Sequence, residues 1–470
     1  MYFSQTKGIS KNINLIVMTN HFTSFVSVGL LAFTAHSTAN ATSQPNILCI
    51  LVDDLGYGDL SCYGGKDIHT PNIDRIMNEG IRFTDFHANC SVSSPSRAAL
   101  LTGRYPEMVG VQGVIRTQEE NSWGYLSPDA VLLPTLLKSA GYSSAIIGKW
   151  HLGLESPNTP IEKGFDFFRG FLGDMMDDYY NHLRLGNNYM RYNQQVIESN
   201  GTHATDLFTD WSVEYLNERI GKQEPFFLYL AYNAPHTPIQ PPKEWEEKVK
   251  QREKGISEKR ANLVALIEHL DYGVGRVLAA LEKNGMMENT LVIFSSDNGG
   301  DLDSGANNGI YRSGKRSLYE GGIRVTCGMC WKGKIKASTV TDNFAMLFDL
   351  FPTICEAAGT KIPHSVDGIS ILPTLLGQKQ ITDDRIMYWM LREGGNNGGV
   401  AHYAARRGNY KILQNTPWEP IQFFDISSDP AEQKPLNTSK DFHNIYIQLF
   451  QNQMNHIRLS GSVPWQNPKK

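Results

Sequence analysis

Short runs of β-branched and aromatic residues alternate along this chain with longer stretches in which apolar side chains recur every three or four positions. Strands covered on both faces read as continuous apolar runs, and the helices that cover them read as amphipathic stretches, so the alternation predicts an α/β fold. The predicted strands are Asn46 to Val52, Ser143 to Ile147, Pro225 to Ala231 and Leu291 to Ser295. The predicted helices are Asn72 to Glu79, Arg97 to Leu101, Leu132 to Ala140, Thr205 to Arg219, Lys259 to Lys283 and Asn343 to Ala358. Beyond Leu376 the pattern changes to short segments, Ile386 to Leu391, Tyr403 to Arg406, Tyr410 to Leu413 and Gln422 to Asp425, then a helix from Asp441 to Ile457. These fit a small antiparallel sheet with a closing helix. The expected architecture is a large mixed, mostly parallel sheet flanked by helices over residues 42–376, followed by a C-terminal antiparallel subdomain over 377–470.

The first 41 residues stand apart. Lys7 and Lys11 precede an apolar stretch from Phe25 to Ala35, and Ala39-Asn40-Ala41 has the small residues of a cleavage site, so 1–41 reads as a signal peptide. Initiation at Met18 would remove both lysines from it. The competing reading, a membrane anchor, needs about 20 apolar residues, more than this run supplies. Periplasmic or secreted placement follows, with cell-surface association open. With 44 basic and 48 acidic residues among 470, the net charge of −4 gives no general attraction to nucleic acid or an anionic membrane. Cys49, Cys62, Cys90, Cys327, Cys330 and Cys355 permit disulfides without demanding them; Cys327 and Cys330 form a lone CxxC, read as strand thiols or a local disulfide.

In open α/β sheets ligands bind at the carboxyl ends of strands, so the residues just after each apolar run matter most. Val52 leads into Asp53-Asp54, and the Leu291 strand leads into Asp297-Asn298. Either pair alone would be a turn or a helix cap; together, behind two buried strands, they suit a hard cation, calcium better than magnesium. The other two runs end in Gly148-Lys149-Trp150-His151 and Asn233-Ala234-Pro235-His236. In Ser93-Ser94-Pro95-Ser96-Arg97-Ala98-Ala99-Leu100-Leu101-Thr102-Gly103-Arg104, Pro95 suits a first turn and Gly103 a helix end. Ser93 then lies at a helix N-terminus, where anions are favoured and where a serine ordinarily caps.

That segment resembles the signature of the sulfatases, a Cys or Ser followed by X-Pro-X-Arg and a helix ending Thr-Gly-Arg. The blocks at 148–153, 234–236, 296–300 and 314–324 (Gly-Lys-Arg-Ser-Leu-Tyr-Glu-Gly-Gly-Ile-Arg) follow in the family's order, and their wording is most similar to N-acetylgalactosamine-6-sulfatase-type carbohydrate sulfatases. The resemblance implies an alkaline-phosphatase-like fold and a sulfuric ester hydrolase. It further implies that Ser93 is converted by a serine-type maturase to 3-oxoalanine (formylglycine), and that one Ca2+ is held by Asp53, Asp54, Ser93, Asp297 and Asn298. Arg97, Lys149, His151, His236 and Lys315 would complete the catalytic set, with Lys149 and Lys315 on sulfate, His236 as acid and His151 as base. Thr326 stands where the family usually has Pro, and Ser93 where many members have Cys.

Specificity belongs to variable polar segments such as Asp174 to Val196, which are otherwise plain surface loop. The sugar-contact candidates are Asp177, Asp178, His182, Arg184, Arg392 and His402, for a sulfated saccharide of galactose or N-acetylgalactosamine type or an algal polysaccharide such as ulvan or carrageenan. Two rival readings stand beside this one: a phosphatase or phosphodiesterase of the same superfamily using unmodified Ser93, and a glycan-binding protein without catalysis.

Overall fold

A computed structural model describes residues 44–393, 400–437 and 442–467; the expected signal segment lies outside them. The large sheet has ten strands in the order Thr339–Thr341, Ile81–Phe83, Cys327–Cys330, Thr290–Ser296, Asn46–Val52, Phe226–Ala231, Ser143–Lys149, Phe167–Phe171, Met190–Tyr192, Gln195–Val196. The five strands from Thr290–Ser296 to Phe167–Phe171 are mutually parallel, and antiparallel pairs flank them on both sides. Side chains alternate between two apolar layers: Ile47, Cys49 and Leu51 enter one, and Leu48, Ile50 and Val52 enter the other. Burial on both faces is why these strands read as unbroken apolar runs.

The register aligns the strand ends. Val52 lies opposite Ser296, Leu51 opposite Ala231, and Ala231 opposite Gly148, so the polar residues that follow emerge side by side. The Ser143 strand runs two residues past its expected end, to Lys149. Gly148 permits this: its φ is +109°, and a Cβ there would meet the Ala231 carbonyl oxygen at 2.0 Å. Six cysteines are free thiols, with Cys327 and Cys330 in one strand.

The expected helix Asn343 to Ala358 breaks into three pieces. Ala345–Met346 pairs in parallel with Phe86–His87, a 3-10 turn covers Leu347–Asp349, and the α-helix runs only Leu350–Ala357. The Asp349 carboxylate accepts from the Met346 amide at 2.9 Å and Arg385 pairs with it at 2.7 Å, fixing a turn where the apolar spacing alone suggested continuous helix. At the C-terminal side, Met387–Arg392, Ala401–Arg407, Tyr410–Gln414 and Gln422–Asp425 form an antiparallel meander. The helix His443–Ser460 covers it, with Leu449 packed on Ala405, Ile412 and Phe423. Among the described residues no helix is long and apolar enough to cross a membrane.

Candidate active site

Asp53, Asp54, Asp297 and Asn298 emerge from two neighbouring strands and are all buried. The helix Ser93–Thr102 ends beneath them, buried along all ten residues, with Val92 at its N-cap and Gly103 at φ +67° closing it. Ser93 does not cap: no side chain bonds back at this N-terminus, and the Ser93 hydroxyl instead donates to Asp53 Oδ1 at 2.7 Å, with Asn298 Oδ1 at 3.4 Å. Arg97, one turn on and therefore on the same helix face, reaches Asp297 at 2.8 Å and the Lys149 carbonyl at 3.2 Å. Lys149 pairs with Asp53 at 2.5 Å and Lys315 with Asp54 at 2.6 Å.

Three carboxylates and three cations thus share one buried volume, with consequences for their titration. Burial works to raise Asp53, but Lys149, His236, Arg97 and Lys315 hold it well below the ordinary carboxylate range. Asp297 goes the other way: burial and the charge of Asp53 push it up to about 7 in spite of Arg97. Burial lowers the Lys149 ammonium, whereas Asp54 and Asp53 outweigh burial at Lys315 and raise it.

His236 donates from Nδ1 to its neighbour's carbonyl, Thr237 O, at 2.7 Å, leaving Nε2 turned toward Asp54 Oδ2 at 3.6 Å. His151, at φ +61°, donates from Nε2 to the Ile115 carbonyl at 2.9 Å and has no partner at Nδ1. Burial, with Lys315 for His236 and with Lys149 and Arg97 for His151, lowers both imidazoles, His151 strongly, so both are neutral at neutral pH.

These groups floor a cavity of about 300 Å³ whose wall includes Ser93, His151, His236 and Lys315. Of the sugar-contact candidates only Arg184 lines it, paired with Asp174 at 3.2 Å and Asp177 at 2.8 Å. Asp178 is occupied by the Tyr180 and Asn181 amides and by Gln240, each at 2.8 Å. His182 is buried on the Thr202 carbonyl. Arg392 and His402 lie next to each other's pairing partners in the small sheet, off the cavity wall. The wall also holds Arg116, Asn121, Arg316 and Glu393. Arg316 adjoins Lys315 in the sequence, but Arg116 and Glu393, which pair at 2.6 Å, come from segments without a pattern to mark them.

Asp53, Asp54 and His236 offer ligand atoms within 4.8 Å of one another, and Asp297 and Asn298 stand beside them. The donor set is dominated by oxygen, and burial together with the like charge of Asp53 raises Asp297 to about 7; a divalent cation relieves both, so the residues fit a hard metal ion.

The profile of the sulfatase family matches residues 45–360, and that of the N-sulphoglucosamine sulphohydrolase C-terminal region matches 309–459. The chain belongs to the sulfatase family. N-acetylgalactosamine-6-sulfatase of Mus musculus is 34% identical over 473 residues, covering 88% of this chain and 85% of that protein; the Homo sapiens enzyme is 34% identical over 376 residues, covering 75% and 69%. Among solved structures, Ps i-CgsB in complex with k-i-k-neocarrahexaose superposes with a TM-score of 0.81 at 31% identity, covering 91% of this chain and 96% of that one. The PsFucS1 sulfatase from Pseudoalteromonas sp. reaches 0.74 at 26% identity, covering 91% and 93%. This sulfatase is accordingly a sulfuric ester hydrolase.

Proposed function

We propose that the enzyme removes sulfate from a sulfated carbohydrate, of galactose or N-acetylgalactosamine type or an algal polysaccharide, after Ser93 has been oxidised to formylglycine by a serine-type maturase. The carrying observation is the position of Ser93. It opens a helix without capping it, lines the cavity, and its hydroxyl reaches Asp53 and Asn298. An unmodified serine is a weak nucleophile, and this one bonds Asp53 and Asn298 rather than either histidine. The hydrate of the formylglycine aldehyde at position 93 would supply one hydroxyl able to attack sulfur and a second whose deprotonation would let sulfate depart.

Asp53, Asp54, Asp297 and Asn298, with the side chain at 93, would hold one Ca2+, which lowers the pKa of a bound hydroxyl and offsets sulfate charge. Arg97 fixes the carboxylate floor through Asp297 and orients the residue one turn before it. Lys315 on the cavity wall and Lys149 beneath it face the sulfate oxygens as charge builds toward the bridging oxygen; removing one such donor costs ~3 kcal/mol. His236, whose Nδ1 proton is held by the Thr237 carbonyl, becomes the proton source for the departing alcohol through Nε2 once a second proton makes it an imidazolium beside Asp54, and the unpartnered Nδ1 of His151 is the base. The wall residues Arg116, Arg184, Lys315 and Arg316 outnumber the carboxylates Asp174 and Glu393, which suits an anionic sugar. Both the N-acetylgalactosamine-6-sulfatase relatives and the neighbour holding a carrageenan-type hexaose support a glycan substrate. Residues 1–41, as a signal peptide, would deliver a 42–376 catalytic domain and a 377–470 subdomain to the periplasm or outside the cell.

Co-expression with the maturase, then peptide mass spectrometry and a sulfate-release assay, tests this reading. The Ser93 peptide is expected to lose two hydrogens, a chelator to abolish activity with restoration by Ca2+, and Ser93→Ala to release no sulfate while melting like the wild type. Activity on phosphate esters with Ser93 unmodified would instead make the protein a phosphatase of the same superfamily.

A further inference from the structure

A second cavity, about 770 Å³, opens beside the first and shares Arg116 with it as a common wall. Its volume falls within the ~300–1,000 Å³ typical of ligand clefts. The shared arginine is fixed on both sides: its guanidinium holds Glu393 at 2.6 Å and the Asn121 carbonyl at 3.0 Å. The loop carrying these groups is pinned by backbone bonds from Trp123 to Val114 and from Tyr125 to Gly110, both 2.9 Å. On the far side Trp123 stacks with Trp465, ring centroids 5.0 Å apart and planes at 8°. Trp465 comes from the segment that follows the closing helix, so residues 465–467 line the cavity.

The two cavities differ in charge. The first is dominated by cations; the second is lined by Glu119, Glu120 and Glu155, and among the described residues Arg116 is the one basic residue in its wall. Carboxylates accept hydrogen bonds from hydroxyls but repel a sulfate, while flat indoles and Tyr125 offer apolar surface to the C–H face of a sugar ring. We propose that the second cavity is a glycan subsite for an unsulfated sugar unit adjoining the sulfated one, so that the enzyme acts on oligosaccharides in which the neighbouring unit lacks sulfate. The inference rests on the sulfated-glycan reading above and adds to it the length and sulfation pattern of the substrate.

The matured enzyme is assayed on 4-nitrophenyl sulfate, on sulfated galactose and N-acetylgalactosamine monosaccharides, and on galactan and chondroitin hexasaccharides carrying one or two sulfates per disaccharide. The once-sulfated hexasaccharides are expected to exceed the monosaccharides in kcat/KM by roughly ten-fold or more, the scale of one good aromatic anchor. In Trp123→Ala and Trp465→Ala that gain disappears through KM, with kcat held, and the small ester is far less affected. Glu120→Lys combined with Glu155→Lys shifts preference toward the twice-sulfated hexasaccharides. Equal losses on small and large substrates would mean that the tryptophan pair only ties down the C-terminal segment, and the proposal falls; it falls equally if hexasaccharides are turned over no better than monosaccharides, or if neither tryptophan variant changes KM. A wild-type enzyme that is matured yet releases sulfate from none of these esters, including the aryl one, defeats the proposed function itself and this subsite with it.

Discussion

Two regions of this sulfatase bury several charges each, and they resolve them in opposite ways. At the strand ends Asp53, Asp54 and Asp297 face Arg97, Lys149 and Lys315 beside an open cavity, and Asp297 is left at about 7 by burial and by its like-charged neighbour. Where the small sheet meets the Phe86–His87 strand and the helix Glu320–Ile323, the residues Asp85, His87, Glu320, Arg324, Arg406 and Lys411 form a network. Glu320 receives His87, Arg324 and Lys411 at 2.9 Å each, and Asp85 receives Arg406 at 2.6 Å and Arg324 at 2.8 Å. Burial would raise both acids there, yet Lys411, His87 and Arg324 hold Glu320 well below the carboxylate range, and Arg324 and Arg406 hold Asp85 at about 2. Both regions contain a trio of groups close enough to hold a metal. Proximity does not separate them, and neither does like charge alone, since Glu432, paired with Lys411 at 2.8 Å, is itself raised by burial and by Glu320. What the first region has in addition is a cavity that exposes its groups to a ligand.

The same chemical change, carboxylate to amide, should therefore split in opposite directions. Asp297→Asn is expected to lower kcat/KM by about three orders of magnitude, as removal of an electrostatic group from an active centre does. Its urea-unfolding stability in chelator should change by no more than about 1 kcal/mol, because a carboxyl held near 7 already carries its proton much of the time at neutral pH. Glu320→Gln is expected to cost about 3 kcal/mol of stability, the scale of removing one charge from a buried ion-pair network, although Lys411 keeps Glu432 and Arg324 keeps Asp85. The fraction that remains folded should keep most of its kcat, since Glu320 reaches no cavity residue. If Asp297→Asn unfolds the protein while Glu320→Gln leaves it stable and inactive, the assignment of the two regions is reversed.

How much of this was legible in the sequence depended on whether neighbours in the chain or neighbours in space carried the signal. The central strands were readable because burial on both faces leaves only apolar residues, and Asp53, Asp54, Asp297, Asn298, Lys149 and His236 follow them directly. Ser93 was readable as a helix start, but the bond that sets it apart from a cap goes to Asp53, forty positions away. The network around Glu320 was not legible. Asp85 precedes and His87 ends a two-residue strand with no period, and Arg406 and Lys411 occupy strands of a small sheet, where charged residues usually face water; here they are 4% and 0% exposed because that face meets Asp85, Glu320 and Glu432. The broken helix at Asn343 to Ala358 failed for the same reason, since Asp349 is claimed by Arg385, distant in the chain, from the bend that precedes the strand Met387–Arg392. The acid-lined cavity depends on Trp123 and Trp465, more than three hundred residues apart.

A third cluster lies between the two extremes and sharpens the contrast by a smaller effect. His203 caps the helix Ala204–Glu218 by accepting from the Thr205 amide at 3.2 Å through Nδ1, and donates from Nε2 to the Gln240 carbonyl at 3.0 Å. Its ring meets His269 and Tyr179, and Asp206 holds His269 at 2.9 Å rather than His203. Burial first, then the charges of His269 and His182 against that of Asp206, lowers His203 to about 4. Here the polar group is satisfied only while uncharged. Above pH 6.5 the ring is neutral in both folded and unfolded chains and its contribution is intact. As the pH falls from 6.5 toward 4 the unfolded chain takes up a proton that the folded one refuses, and about 3 kcal/mol is lost across that window. His203→Gln keeps a neutral polar side chain and removes the titration. It should be less stable than wild type by about 1 kcal/mol at pH 7.5, for the weakened cap, and the more stable of the two at pH 4.5. Unfolding curves at both values decide it: parallel losses in the two proteins would show that His203 does not carry the acid sensitivity, and that satisfaction of a neutral imidazole is no weaker a solution than the paired charges around Glu320.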